Sequence, residues 1–175
     1  MNLSARAELW PIAGAFSISR GSKTEAEVIV VELASEGHLG RGESVPYRRF
    51  GESIESVLAE IEGVARELAT GPGLDRISLL SRLPPGAARN AIDLALWDLQ
   101  AKTRGEPVWK LAGLKPPAPV KTAFTISLDA PEAMAEAARR EAGRPLLKLK
   151  IGGADDLARV EAVRAAAPRT RLILD

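Results

Sequence analysis

The sequence predicts an α/β protein in two parts, and three observations carry that reading. A β-branched run, Val28-Ile29-Val30-Val31, precedes the turn-forming residues Ser35-Glu36-Gly37, which marks two strands joined by a tight turn. Apolar residues then recur at spacings of three and four over two long stretches, the rhythm of helices with a buried face. After Lys115-Pro116-Pro117-Ala118-Pro119 the rhythm changes to strand, helix, strand, helix, strand. That alternation implies parallel βαβ units, as in a barrel or a doubly wound sheet. A chain of 175 residues is one large domain, or one domain and part of another, at roughly 150 residues per domain.

The elements follow in order. The longest apolar run in the first twenty residues, Trp10 to Phe16, is broken by Pro11 and Gly14, so neither a secretory signal nor a membrane span is predicted and the cytoplasm is the expected compartment. Arg20-Gly21-Ser22-Lys23 reads as a flexible basic loop. Glu27 to Leu33 forms one strand, and a second extended piece ending at Glu43 completes a hairpin. From Ile54, the positions Val57, Leu58, Ile61, Val64, Ala65 and Leu68 define a helix with Ser53 as N-cap and Gly71 as its stop. Ala87 to Lys102 is helical and apolar on most of its circumference, which predicts burial on several sides, and Gly105 and Pro107 end it. Beyond the proline cluster, Val120 to Ser127 reads as a strand, and Asp129 with Glu132 as a capping-box start for a helix through Glu141. Leu146 to Ile151 is the next strand, a helix spans about Asp156 to Ala166 with Pro168 closing it, and Arg171 to Asp175 begins a third strand. An eight-stranded α/β barrel takes roughly 250 residues, so any barrel here is incomplete.

Composition narrows the chemistry. Hydrophobic residues make up 46%, and 24 basic against 23 acidic residues give a net charge of +1. This balance excludes disorder and any nucleic-acid or membrane-surface partner that depends on a basic field. Alanine contributes 29 residues and aromatics only 4%, so the core is expected to be helix-rich and closely packed. With no cysteine and His38 as the single histidine, disulfides, thiolate sites, a serine triad and a histidine-built metal site all drop out. Lysines, arginines and carboxylates remain.

The sharpest local feature is Leu146-Leu147-Lys148-Leu149-Lys150-Ile151. Side chains alternate across a strand, so Lys148 and Lys150 share one face while Leu147, Leu149 and Ile151 share the other. Two ammonium groups on the face of a covered strand are expensive unless they meet anions or water. The pair therefore reads either as the solvated face of an edge strand or as an active-site pair near the strand's C-terminal end, where α/β barrels collect their chemistry. Two neighbouring lysines lower one another's pKa, and a lysine kept partly neutral acts as a base. Asp175 ends the next strand and projects toward the same rim, as a ligand or as the N-cap of a following helix. Gly40-Arg41-Gly42-Glu43 and Gly152-Gly153 lack the spacing of a phosphate-binding loop. His38 is expected to be exposed, and Asp93 and Asp98 to serve hydrogen bonds between helix and loop.

The order of parts resembles the enolase superfamily, in its muconate-lactonizing-enzyme-like branch, and most closely the dipeptide epimerases acting on L-Ala-D/L-Glu. The likeness is carried by Gly42-Glu43-Ser44-Val45-Pro46-Tyr47-Arg48-Arg49-Phe50-Gly51-Glu52-Ser53 and by Leu83-Pro84-Pro85-Gly86-Ala87-Ala88-Arg89-Asn90-Ala91-Ile92-Asp93-Leu94-Ala95-Leu96-Trp97-Asp98-Leu99. Gly105-Glu106-Pro107-Val108 and Leu111-Ala112-Gly113 follow, then Thr125-Ile126-Ser127, the Lys148-x-Lys150 pair and Ile173-Leu174-Asp175.

The resemblance implies an α+β capping domain over residues 1–115 and, over 116–175, the first three strands of an incomplete (β/α)8-type (TIM) barrel. It implies that Lys150 is the general base for one face of the substrate, that Lys148 helps hold it neutral and contacts the developing enolate, and that Asp175 is the first of three acidic Mg²⁺ ligands. Arg20 falls in the loop that closes over the site and meets the substrate's distal carboxylate, and Thr125 at a substrate-contacting position. The implied activity is Mg²⁺-dependent epimerisation of the C-terminal residue of a dipeptide in cell-wall peptide recycling, by a cytoplasmic homo-oligomer. An N-acylamino-acid racemase, a muconate-type cycloisomerase and a non-catalytic α/β binding fragment are the alternatives. The second lysine base and two metal ligands are implied to lie on later strands, so the 175 residues alone are expected to be inactive.

Overall fold

The protein's structure, a computed structural model, describes residues 1–19 and 21–175. They form two units: Met1–Trp10 with Ala26–Pro117, and Pro11–Glu25 with Ala118–Asp175.

The first unit is built on a sheet of order β1-β2-β3, with β1 at Asn2–Ile18, β2 at Gly21–Ser35 and β3 at His38–Ser44. β2 and β3 pair antiparallel, Val31 opposite Gly42 and Leu33 opposite Gly40. Glu36 and Gly37 between them both have positive φ, 50° and 78°, as the favoured two-residue hairpin turn requires. β1 carries no apolar alternation, because most of its side chains are exposed, so its pattern is not that of a strand with one buried face. Gly21 to Lys23, expected as loop, begin β2.

Helix α1, Ile54–Thr70, starts at Ser53, whose side chain accepts from the Ser56 amide while the Ser56 hydroxyl accepts from the Ser53 amide. Asp75 and Ser78 repeat this device at α2, Arg76–Arg82, a helix too short to announce itself by periodicity. Helix α3, Ala87–Arg104, packs on β3 at very close range, and the sequence permits it. A Cβ on Gly42 would lie 2.0 Å from the Ala91 carbonyl oxygen, and one on Gly40 would lie 2.2 Å from that of Ala95. Asp98 accepts from the Arg41 amide at 2.8 Å and from Lys102 at 2.6 Å, and Lys102 also donates to the Leu39 carbonyl. Asp98 thus bonds α3 to strand β3, where hydrogen bonds between helix and loop were expected, and His38 is exposed. Ala87, Ala88, Ala91, Ile92, Ala95, Leu96 and Leu99 are buried, while Leu94 is 43% exposed. The helix therefore buries one broad stripe, not several sides as its composition suggested. These residues complete one core with Ile29, Val31, Leu33, Val57, Ile61 and Leu79. A last short helix, α4, covers Val108–Leu111.

The second unit is a parallel sheet of order β4-β5-β6, with β4 at Phe124–Ile126, β5 at Leu146–Leu149 and β6 at Arg171–Leu174. Helices α5, Pro131–Arg140, and α6, Asp156–Ala166, connect them. Ile126, Leu147 and Leu149 form a core with Met134, Ala138, Val163 and Ala167 of the helical layer. Asp129 is not the N-cap of α5. That position is Ala130, with Pro131 fixing the first turn and Asp129 accepting from the Ala130 amide. Residues 11–25 group with this unit, although a 1–115 domain would have held them. The reason is hydrogen bonding: the Leu128 amide donates to the Ser17 carbonyl, the Ser17 amide to the Ser127 hydroxyl, and that hydroxyl to the Ala15 carbonyl.

Candidate active site

The parallel register decides which side chains meet. Thr125 lies opposite Lys148, and Lys148 opposite Ile173, so these three share a face of the sheet. Leu147 and Leu149 point the other way and are fully buried. Beyond the last ladder pairs the hydrogen bonding continues. The Lys150 amide donates to the Ile126 carbonyl, the Ile151 amide to the Asp175 carbonyl, and the Asp175 amide to the Leu149 carbonyl, each at 3.0 Å. Lys150 and Asp175 are thereby held side by side at the C-terminal end of the sheet, one step past Lys148.

Their side chains converge. One Asp175 carboxylate oxygen stands 3.1 Å from the Lys148 ammonium and is also ion-paired and hydrogen-bonded to Lys150. The hydrogen bond from Lys150, then that from Lys148, holds the Asp175 carboxyl below its ordinary value of 3.8. The Phe16 ring lies 5.9 Å from the Lys150 nitrogen, at the outer edge of cation–π range. The side chains are partly accessible, 20% for Lys150, 33% for Lys148 and 40% for Asp175. The two ammonium groups therefore meet an anion and remain reachable from solvent. This resolves the cost of placing them on a strand whose other face is apolar.

Of the residues singled out from sequence, Lys148, Lys150 and Asp175 come together and Thr125 is beside them in the ladder. Arg20 lies outside the described residues. Among the described residues, no group of three or more histidine, cysteine or acidic side chains stands close enough to hold a metal ion. Two polar residues next to the site went unread in the sequence. Asp156 accepts from the Gly152 and Gly153 amides, and Arg159 binds Asp156. An acidic residue three to four positions after a glycine pair at a helix start was the available signal.

An α+β unit joined to parallel βαβ units, with paired lysines and a carboxylate at the strand ends, places the chain among two-part α+β and α/β proteins. Residues 1–113 match the model of the mandelate racemase / muconate lactonizing enzyme N-terminal domain, and the chain belongs to that family, within the enolase superfamily. It is 45% identical over 170 residues to the L-Ala-D/L-Glu epimerase of Escherichia coli (strain K12), an alignment covering 96% of this chain and 52% of that protein. A solved enolase family member from Agrobacterium tumefaciens, with homology to dipeptide epimerases and with bound sodium and L-Ala-L-Glu, superimposes with a TM-score of 0.91 at 50% identity, over 99% of this chain and 52% of the other. The dipeptide epimerase of Enterococcus faecalis V583, complexed with Mg and L-Leu-L-Tyr, matches with a TM-score of 0.84 at 28% identity, over 99% and 52% of the two chains. The chain thus spans about half the length of the relatives it matches.

Proposed function

We propose that the whole protein to which this chain belongs is a Mg²⁺-dependent dipeptide epimerase that removes and returns the α-proton of the C-terminal residue of an acidic dipeptide such as L-Ala-D/L-Glu. The observation that carries the reading is the convergence of Lys148, Lys150 and Asp175 at the C-terminal ends of adjacent parallel strands. That rim is where α/β barrels place their chemistry. The likeness to L-Ala-D/L-Glu epimerases over nearly the whole chain supports the substrate class.

In this reading Lys150 takes the α-proton onto its Nζ. A lysine does so only in its neutral form. Removal of the proton moves negative charge onto the substrate carboxylate, and the Lys148 ammonium is assigned to stabilise that charge. Thr125, beside Lys148 in the ladder, and Arg20 are assigned to substrate contacts, Arg20 to the distal carboxylate. Asp175 offers a hard oxygen donor of the kind Mg²⁺ prefers, so it fits as one ligand. A complete ligand set needs carboxylates from elsewhere in the whole protein. The ion, when bound, supplies positive charge at the substrate carboxylate. A second base is required on the opposite face, and the family likeness assigns it to another lysine on a later barrel strand. Residues 116–175 are then the opening strands of a (β/α)8 barrel and residues 1–115 its capping domain. The setting is cytoplasmic cell-wall peptide recycling by a homo-oligomer.

The whole protein, given Mg²⁺ and L-Ala-L-Glu in deuterated water, is expected to place deuterium at the glutamate α-carbon. Failure with every acidic dipeptide tried would overturn the substrate assignment.

A further inference from the structure

Four successive backbone amides at the end of β5 all have partners, but the partners change character midway. Lys150 and Ile151 donate to strand carbonyls on either side, Ile126 and Asp175. Gly152 and Gly153 have left the ladder and donate instead to the two carboxylate oxygens of Asp156, each at 3.0 Å. Asp156 is the first residue of α6, and its side chain reaches back to the loop instead of capping its own helix. Arg159, one turn on and only 15% exposed, donates to the same carboxylate at 3.0 Å and to the Asp129 carbonyl, in the loop after β4, at 2.8 Å. The amides of Gly153 and Gly152, and secondarily Arg159, hold the Asp156 carboxyl below its ordinary value.

Two consecutive glycines give the chain leaving Lys150 the widest conformational freedom available. Gly152 cannot be replaced to reduce it, because a Cβ there would lie 2.5 Å from the Ser19 Cβ. The loop therefore takes its direction from outside, and Asp156 with Arg159 supplies it by tying the two loops that follow β4 and β5 to the start of α6.

We propose that Asp156 and Arg159 are positioning residues for Lys150, fixing the strand end that aims its ammonium nitrogen at the substrate. This rests on reading Lys150 as the base for one substrate face. A carboxylate that merely folded the loop would matter equally to both faces. One that positions Lys150 matters to one.

The test is α-proton exchange by the whole protein, started separately from each epimer of Ala-Glu, in wild type, Asp156→Asn and Arg159→Lys. The expected result is a fall in kcat of about 10-fold to 100-fold for the epimer that Lys150 deprotonates, the scale expected of a misplacement near 1 Å. KM and the exchange of the other epimer should stay close to wild type. Equal slowing of both epimers, or of neither, overturns the proposal. Should wild type exchange neither epimer, the functional reading falls, and hydrogen exchange of the Lys150 and Ile151 amides, which pair with Ile126 and Asp175, decides the positioning claim: faster exchange in Asp156→Asn supports it and unchanged exchange overturns it.

Discussion

The two units solve the burial of a sheet in different ways. In the first, α3 closes over β3 so tightly that only glycine fits at positions 40 and 42, and seventeen residues make one continuous core. In the second, helices cover one face of a three-stranded parallel sheet with a core of seven buried residues. The opposite face carries Thr125, Lys148, Lys150 and Asp175. Close packing confines charge to the edge of that contact, where Asp98 and Lys102 pair with each other and with the β3 backbone. A sheet covered on one face leaves strand ends where charges pair with one another and stay accessible. The first unit is organised for packing, and the second leaves a charged, accessible rim at its strand ends.

That contrast breaks most visibly at its smaller core. Leu147→Ala removes a fully buried side chain from the middle strand and is expected to cost about 2–5 kcal/mol. Lost hydrogen-exchange protection of the β4, β5 and β6 amides would register it. Gly42→Ala attacks the other core by overpacking, since the new methyl meets backbone atoms of α3 that cannot turn aside. It should cost about 1–3 kcal/mol. Tryptophan fluorescence during urea unfolding reads it out, because Trp10, Trp97 and Trp109 all belong to the first unit. A smaller effect is expected at Glu52. Its carboxylate accepts from the Ala87 amide at 2.6 Å and the Tyr47 amide at 2.9 Å, standing in for the side chain that Gly86 lacks at the start of α3. Glu52→Ala should cost about 1 kcal/mol by the same unfolding assay, the typical value of a lost helix cap.

The smallest effect is in acid. Because Lys150 and Lys148 depress the Asp175 pKa, the pair stabilises the folded chain above the ordinary value of 3.8 and stops doing so as pH falls through the depressed one. Urea midpoints of wild type and Asp175→Asn should differ near neutrality and converge below that range. A gap that widens in acid would contradict the sign.

Legibility in the sequence followed the physics of each element. Ser53, the apolar spacing through Leu68 and the stop at Gly71 gave the first helix almost to the residue, because cap and period agree. Lys148 and Lys150 were readable as neighbours on one face, since alternation along a strand is rigid. Their meeting with Asp175 was expected from its place at the end of the next strand, while the contact itself depends on register. β1 was invisible because its side chains are mostly exposed, and α2 because seven residues hold too few turns for a period. Residues 11–25 bond to the second unit through the Leu128 amide and the Ser127 hydroxyl, long-range contacts that no local side-chain pattern records. Asp156 was hidden for a similar reason: apart from Arg159, its partners are amides of glycine.

In the proposed reaction Lys150 moves a proton on one face of a dipeptide α-carbon. Its most direct test is the Lys150→Ala form of the whole protein, in deuterated water with Mg²⁺, given each Ala-Glu epimer in turn and followed by proton NMR at the glutamate α-carbon. Exchange should be lost from one epimer and retained by the other, with no net epimerisation. Unchanged exchange from both epimers would contradict it.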